Sequence, residues 1–244
     1  MIIVSEPSVG QKAPEHVGII MDGNRRFAKR LMLEPWKGHE WGAKKAEEVL
    51  DWCIETGVKT VTLYSLSYEN FKSRPRQEID MLLKLIEKEA LRVTDLKKVH
   101  DNEARFNVIG RPDILPKSVQ KALEKLVSAT KKYDKLNVNL AIAYGGREEI
   151  IRAVKNVVKE EKKKKLDIND LDEKTFGKFL YTNGTSDPDL IIRTGGEKRI
   201  SGFLLWQSAY SELYFSDKIW PDFDRDCFIA AIEDYKVRKR RFGK

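Results

Sequence analysis

The chain has 244 residues, 41% hydrophobic and 34% charged, with two cysteines, three histidines and a formal net charge of +8. This length allows one large or two small domains with a core that needs neither disulfide nor structural metal, and two cysteines rule out a disulfide scaffold or a four-cysteine zinc site. No apolar run approaches the ~18–20 residues of a membrane span, and no basic stretch followed by an apolar one suggests a secretory signal, so a soluble cytoplasmic protein is expected; its positive balance suits a phosphate-bearing or membrane-surface partner.

Residues 1–15 are expected to form a flexible N-terminal segment. Val17–Met21 is then a short apolar run that predicts a strand. After Gly38, residues Ala43, Ala46, Val49, Leu50, Cys53 and Ile54 predict a helix that stops at Gly57. A second strand, Thr60–Leu66, precedes a helix that begins after Pro75 and carries Ile79, Leu82, Leu83, Ile86, Ala90 and Val93 at steps of three and four. Strands follow at Phe106–Ile109, Val138–Ala143, Leu190–Ile192 and Leu213–Phe215, with helices at Ser118–Tyr133, Glu148–Lys163, Asp172–Leu180 and Asp224–Arg241. The strand segments are short, β-branched and without clear alternation, as expected of strands covered on both faces. Alternation with helices predicts an α/β fold, a single domain over residues 1–244 built on a mostly parallel sheet. The lysine-rich run 159–165 reads as a solvated helix end rather than a nucleic-acid patch.

Four segments could carry chemistry. In the first, the apolar strand runs into Asp22-Gly23-Asn24 followed by Arg25 and Arg26. Strand ends of a parallel sheet are where ligands sit, free N–H groups and guanidiniums hold phosphates, and an aspartate among them suggests a bridging Mg²⁺. A tight turn with surface arginines explains the same residues. In the second, Arg193 leads into Gly195-Gly196, with Arg199 and Ser201 close behind, which suits a phosphate clamp; neither a Walker loop nor a dinucleotide fingerprint is present. The third places Ser67, Glu69, Asn70 and Arg74 after another strand, where helix capping competes as an explanation. In the fourth, Glu212 enters a strand expected to be buried, so it needs an arginine or a metal ion as partner. Two arginine clusters suit two diphosphates better than one.

Taken together, His16 to Asn24, Gly38-His39, Leu63-Tyr64-Ser65, Glu69-Asn70-Phe71, Tyr144-Gly145-Gly146-Arg147, Arg193 to Ser201, Leu204 to Gln207, Ala209-Tyr210, Glu212 to Phe215, Trp220 to Phe223 and Arg240 to Gly243 resemble the cis-prenyltransferase family, typified by undecaprenyl diphosphate synthase. The resemblance implies a six-stranded, mostly parallel sheet flanked by helices, a hydrophobic tunnel between sheet and helices, and a homodimer. It implies an Mg²⁺-dependent enzyme that adds isopentenyl diphosphate repeatedly to an allylic primer, farnesyl or geranylgeranyl diphosphate. The product would be a long-chain polyprenyl diphosphate, precursor of a glycosyl carrier lipid, with peripheral membrane contact for its release. A short-chain or irregular synthase of the same fold and a non-catalytic partner subunit are the alternatives. Nucleic acid is not an expected partner, because it leaves the glycine–arginine loops and Glu212 unexplained.

By the same resemblance, Asp22 holds the metal, and Gly23, Asn24, Arg25 and Arg26 cradle the allylic diphosphate with His39 near it and Phe27 against the lipid. Ser67, Glu69, Asn70, Phe71 and Arg74 organise the adjoining loop, and Asn70 matches a participant in proton removal. Arg193, Arg199 and Ser201 match the isopentenyl diphosphate site, Glu212 a metal ligand contributed within the dimer, and Arg241-Phe242-Gly243 a C-terminal motif that reaches the partner's site. Arg25, Phe27 and Phe71 follow the archaeal or eukaryotic pattern rather than the bacterial one. Pro35 stands where bacterial enzymes carry a basic residue, and Ser73 looks like an insertion before Arg74-Pro75.

Overall fold

All six apolar runs form strands: β1 (His16–Ile20), β2 (Thr60–Ser67), β3 (Ala104–Gly110), β4 (Leu136–Tyr144), β5 (Leu190–Arg193) and β6 (Glu212–Phe215). The computed structural model describes residues 12–238, and within them these strands make one sheet in the order β3-β4-β2-β1-β5-β6. Every neighbouring pair is parallel, so the expected mostly parallel sheet is wholly so. The helices are α1 (Asn24–Arg30), α2 (Gly38–Thr56), α3 (Tyr68–Ser73), α4 (Arg76–Thr94), α5 (Lys97–Asp101), α6 (Lys117–Thr130), α7 (Gly146–Lys162), α8 (Glu173–Gly177) and α9 (Arg225–Val237).

Burial follows the residue types. Every residue of β1 and β5 is buried, as a strand sandwiched between helical layers requires. β6 departs from that expectation: it is one of the two edge strands, none of its residues is buried, and Leu213 is exposed. The stripe on α4 is both core and wall, since Ile79, Leu82, Leu83 and Ala90 are buried. The lysine run after residue 158 is mostly exposed at the end of α7.

One polar line crosses this apolar sheet. His16 Nδ1 donates to the Ser186 carbonyl (2.6 Å), which leaves Nε2 to accept from the Thr62 hydroxyl (2.8 Å). The Thr62 oxygen accepts from Asn139 Nδ2 (3.1 Å), and Asn139 Oδ1 accepts from Asn107 Nδ2 (3.3 Å). The chain of bonds runs from β1 to the far edge, and burial pushes the His16 imidazole below its ordinary 6.5. Of the segment expected to be flexible, Pro14 is buried. Glu15 is pinned: its N–H donates to Asp189 Oδ2 (2.9 Å), and its carbonyl accepts from Lys59 and Thr60 (2.9 Å each).

From β1 the chain builds outward to β2 and β4 on one side and to β5 and β6 on the other. The strand order therefore reverses between β1 and β5. In open parallel sheets, the crevice beyond the carboxyl ends at such a point is where ligands bind.

Candidate active site

Asp22 and Arg193 meet at that crevice. The Asp22 backbone is clasped by Thr194, whose hydroxyl accepts from the Asp22 N–H (3.0 Å) and donates to its carbonyl (2.8 Å); the Trp220 N–H reaches the same carbonyl (2.8 Å). Gly23 next to it has φ of 111° and lies so close to Ile219 that a Cβ would stand 2.4 Å from the Ile219 Cβ. The chain is thereby turned into α1 while the Asp22 side chain, 31% exposed, faces the crevice. Arg193 Nη2 donates to Asp22 Oδ2 (2.8 Å), and Arg26 Nη2 stands 3.4 Å from Oδ1.

Arg193 is buried and ties two clusters into one. Beyond Asp22, its Nη1 donates to the Arg199 carbonyl (2.5 Å) and to Ser201 Oγ (2.7 Å). Its Nε has no protein partner.

The opposite wall comes from α3, α4 and the start of α2. Ser67 caps α3 by accepting from the Asn70 N–H (3.0 Å), and the suspected insertion Ser73 is the last residue of this short helix. Arg74 Nη1 donates to the buried Glu78 (2.9 Å) and lies 3.5 Å from His39 Nε2, while Arg25 Nε approaches the same Glu78 oxygen at 3.6 Å. Burial and the Arg74 and Arg25 guanidiniums push the His39 imidazole down to about 3, so it is neutral. Gly38 lets α2 start against the loop carrying Asn24, with its Cβ position only 1.9 Å from the Asn24 carbonyl oxygen.

A cavity of about 860 Å³ opens from these groups. Its head is lined by Asp22, Asn24, Arg25, His39, Ser67, Glu69, Asn70, Arg74, Arg193, Arg199 and Ser201. Its body lies between the sheet and the helices α2, α4 and α6, among Leu63, Leu85, Ile86, Val93, Phe106 and Leu123. A smaller cavity of about 580 Å³ shares Asp22, Arg25, His39 and Arg74 and adds Gly23, Arg26, Lys29 and Pro35.

Three expected residues stand elsewhere. Phe27 is buried and packs on Trp41 with ring centroids 5.5 Å apart, so it lines neither cavity. Phe71 packs half-buried against the main core. Glu212 is half-buried rather than buried and accepts from Arg238 Nη1 (2.7 Å). It also pairs in register with Leu190, whereas Arg193 pairs with Phe215, so Glu212 sits at the other end of the strand from the crevice. The motif Arg240–Gly243 lies outside the described residues. Sequence reasoning missed Glu78, Thr194 and any role for Arg147, which also lines the cavity. Glu78 carried a signal, since it stands four residues after Arg74 on a helix; Thr194 carried none.

Chemically, the head offers a partly exposed carboxylate among several guanidiniums, the donor set for a polyanion. Among the described residues no three His, Cys, Asp or Glu side chains converge on one point. That fits Mg²⁺, which keeps several waters and typically takes one or two carboxylates plus substrate phosphates. Asp22 fits as that carboxylate, because two oxygens offer about four acceptor sites and Arg193 and Arg26 do not exhaust them.

A family model described as undecaprenyl diphosphate synthase matches residues 20–243. A tritrans,polycis-undecaprenyl-diphosphate synthase (geranylgeranyl-diphosphate specific) of Methanopyrus kandleri is 48% identical over 242 residues, which cover 99% of this chain and 89% of that protein. Its counterpart from Pyrococcus abyssi is 49% identical over 231 residues, 95% of this chain and 87% of the relative. Among solved structures, lavandulyl diphosphate synthase from Lavandula x intermedia, in complex with dimethylallyl diphosphate, superposes with a TM-score of 0.89 at 33% identity, covering 95% of this chain and 99% of that one.

Proposed function

The chain belongs to the undecaprenyl diphosphate synthase family of cis-prenyltransferases, and from that premise we propose that it elongates geranylgeranyl diphosphate with isopentenyl diphosphate, in the presence of Mg²⁺, to a long-chain polyprenyl diphosphate. One observation carries this reading: the Asp22–Arg193 pair with its surrounding guanidiniums sits at the head of an apolar cavity of about 860 Å³. The relatives named as geranylgeranyl-diphosphate specific support the primer, and their undecaprenyl products support the length. A short or irregular product would leave most of the cavity unused.

In this reading Asn24, Arg25, Arg74 and the Gly23 turn hold the primer diphosphate, and Arg193, Arg199 and Ser201 hold the isopentenyl diphosphate. Asp22 would hold Mg²⁺, which would supply Lewis-acid stabilisation of the departing diphosphate. The guanidiniums and N–H groups are already oriented, so they gain most as the allylic C–O bond breaks and charge builds on the leaving oxygens. Two adjacent anion sites align the alkene of one substrate with the cationic carbon of the other. Loss of one proton to a substrate diphosphate oxygen then forms the new double bond; Asn70 stands at the cavity head, where its amide can orient that oxygen, and the neutral His39 is held among arginines.

Burial drives the chain into the cavity: five carbons at ~0.8 kcal/mol each amount to about 4 kcal/mol per isoprene unit. Glu212 and residues 240–243 are read as contributions across a homodimer, an arrangement supported by β6 being an edge strand with an exposed leucine. The test is to incubate purified protein with labelled isopentenyl diphosphate, Mg²⁺ and primers of five to twenty carbons, and to size the products. Failure to extend any primer would overturn the proposal.

A further inference from the structure

Away from its head, the large cavity is lined by apolar residues such as Val93, Leu96 and Val99, and among them stand three charged side chains. Glu47 on α2 and Glu89 and Arg92 on α4 all line it, and Arg92 bridges the two acids, with Nη2 2.7 Å from Glu47 and Nε 2.7 Å from Glu89. Their side chains are 26%, 25% and 40% exposed, so each touches both cavity and solvent. The cavity residues beside them on the two helices are the small Ala43, Ala46 and Ala90 together with the larger Leu50, Ile86 and Val93.

Resting on the reading of this cavity as the seat of a growing prenyl chain, we infer that the Glu47–Arg92–Glu89 bridge is a specificity-determining element that sets product length. α4 starts beside Arg74 at the cavity head, and at ~1.5 Å per residue Arg92 lies about 24 Å along the helix from Arg76. An extended chain advances ~1.2 Å per backbone bond, about 5 Å for the four main-chain bonds of an isoprene unit. About five extended units therefore span the apolar path, and an eleven-unit product must coil inside it or reach the bridge. Hydrocarbon arriving there would strip water from three charged groups and offer them no hydrogen bond. Where the bridge is open to solvent, a further unit gains no burial. The drive for elongation ends at that line of charge.

The test uses the full-length enzyme with labelled isopentenyl diphosphate, Mg²⁺ and geranylgeranyl diphosphate, with products sized by reverse-phase chromatography and folding checked by thermal melting. Arg92→Met keeps most of the apolar stem but removes the charged head; Arg92→Lys, also shorter than arginine, keeps a cation. Arg76→Met, which breaks the exposed Arg76–Asp80 pair on the same helix away from the cavity, is the control. The expected result is a product distribution at least one isoprene unit longer for Arg92→Met, with wild-type length for Arg92→Lys and Arg76→Met. Should Arg92→Met fold poorly, Glu47→Gln removes the α2 half of the bridge and is expected to lengthen products in the same direction. Unchanged length in a folded Arg92→Met or Glu47→Gln enzyme overturns the inference, as does equal lengthening by Arg92→Lys, which would assign the effect to bulk. A wild-type protein that extends no primer would instead overturn the functional reading beneath it.

Discussion

Replacing Arg193 by lysine keeps the charge and removes the fork. In the structure the guanidinium donates to Asp22, the Arg199 carbonyl and Ser201. A lysine ammonium on a flexible stem can hold one of these well, because its donors radiate from a single point. Two charge-assisted bonds are lost, at ~1.5–3 kcal/mol each before solvent compensates. Water does compensate in part, since Asp22 is one-third exposed and Ser201 is exposed, so a net ~2–3 kcal/mol is the reasoned figure. At ~1.4 kcal/mol per tenfold, this is a fall of roughly 30- to 140-fold in kcat/KM for a single condensation. Because Arg193 links the Asp22 loop to the Arg199–Ser201 loop, the loss is expected for both substrates. Ser201→Ala combined with Arg193→Lys is expected to cost less than the sum of the two. Initial rates with each diphosphate varied in turn provide the assay. A folded Arg193→Lys enzyme whose kcat/KM changes less than threefold, or changes for one substrate alone, would refute the idea that this residue joins the two anion sites.

Asp22→Asn retains an acceptor for Arg193 but not the charge, so turnover is expected to fall by roughly 10²–10³-fold or more while the melting temperature barely moves. Near-normal turnover would remove Asp22 from the metal role. Chelating Mg²⁺ from the wild-type enzyme is expected to abolish condensation, and adding it back to restore it. Gly38→Ala forces a methyl into the Asn24 carbonyl; overpacking of this kind costs up to ~3 kcal/mol, which at 2–4 °C per kcal/mol lowers Tm by about 6–12 °C. An unshifted melting curve would contradict the close approach. Stability should also respond to pH through His16. Above 6.5, its ordinary value, the imidazole is neutral in both states. Below it the unfolded chain takes up a proton that the folded chain refuses, so stability falls with acidification at up to ~1.4 kcal/mol per pH unit until the folded-state value is passed. Urea midpoints between pH 7.5 and 5.5 measure this, and His16→Gln should reduce the dependence to the share left by His39, which is likewise held neutral.

Strands buried on both faces announce themselves by composition, which is why β1, β2, β4 and β5 were legible within a few residues, and β3 followed from its apolar centre although it lies at an edge. The edge strand β6 shares the composition but not the burial, because nothing in a short apolar run tells an inner strand from an outer one. The short helix α1 was missed: Asp22-Gly23-Asn24 signals a turn, and Arg25 and Arg26 interrupt any apolar stripe. Its helical start is a tertiary effect of Gly23 packed on Ile219 and Gly38 packed on Asn24. The predicted helix to Arg241 ends earlier, at Val237, where Arg238 turns extended; residues 239–241 lie outside the described residues. Most expected site residues converge because strand ends and glycine turns mark the crevice in the sequence. Their pairings were not legible. Arg193 and Asp22 lie 171 residues apart, and only parallel registration of β1 with β5 makes them neighbours. Phe27 shows the converse error, where an aromatic beside a binding loop serves the fold instead.

The strand order carries a consequence for synthesis on the ribosome. β1 emerges long before its second neighbour, since β5 begins 170 residues after Ile20. At ~5–20 residues per second, the nascent chain carries β1 with one flank unzipped for roughly 10–35 s. Throughout that interval Asp22 has no Arg193 to pair with. A ribosome-bound fragment ending before residue 190 is therefore catalytically mute, and its open β1 flank is the place where a chaperone, or a misplaced strand from a neighbouring polysome, would find purchase.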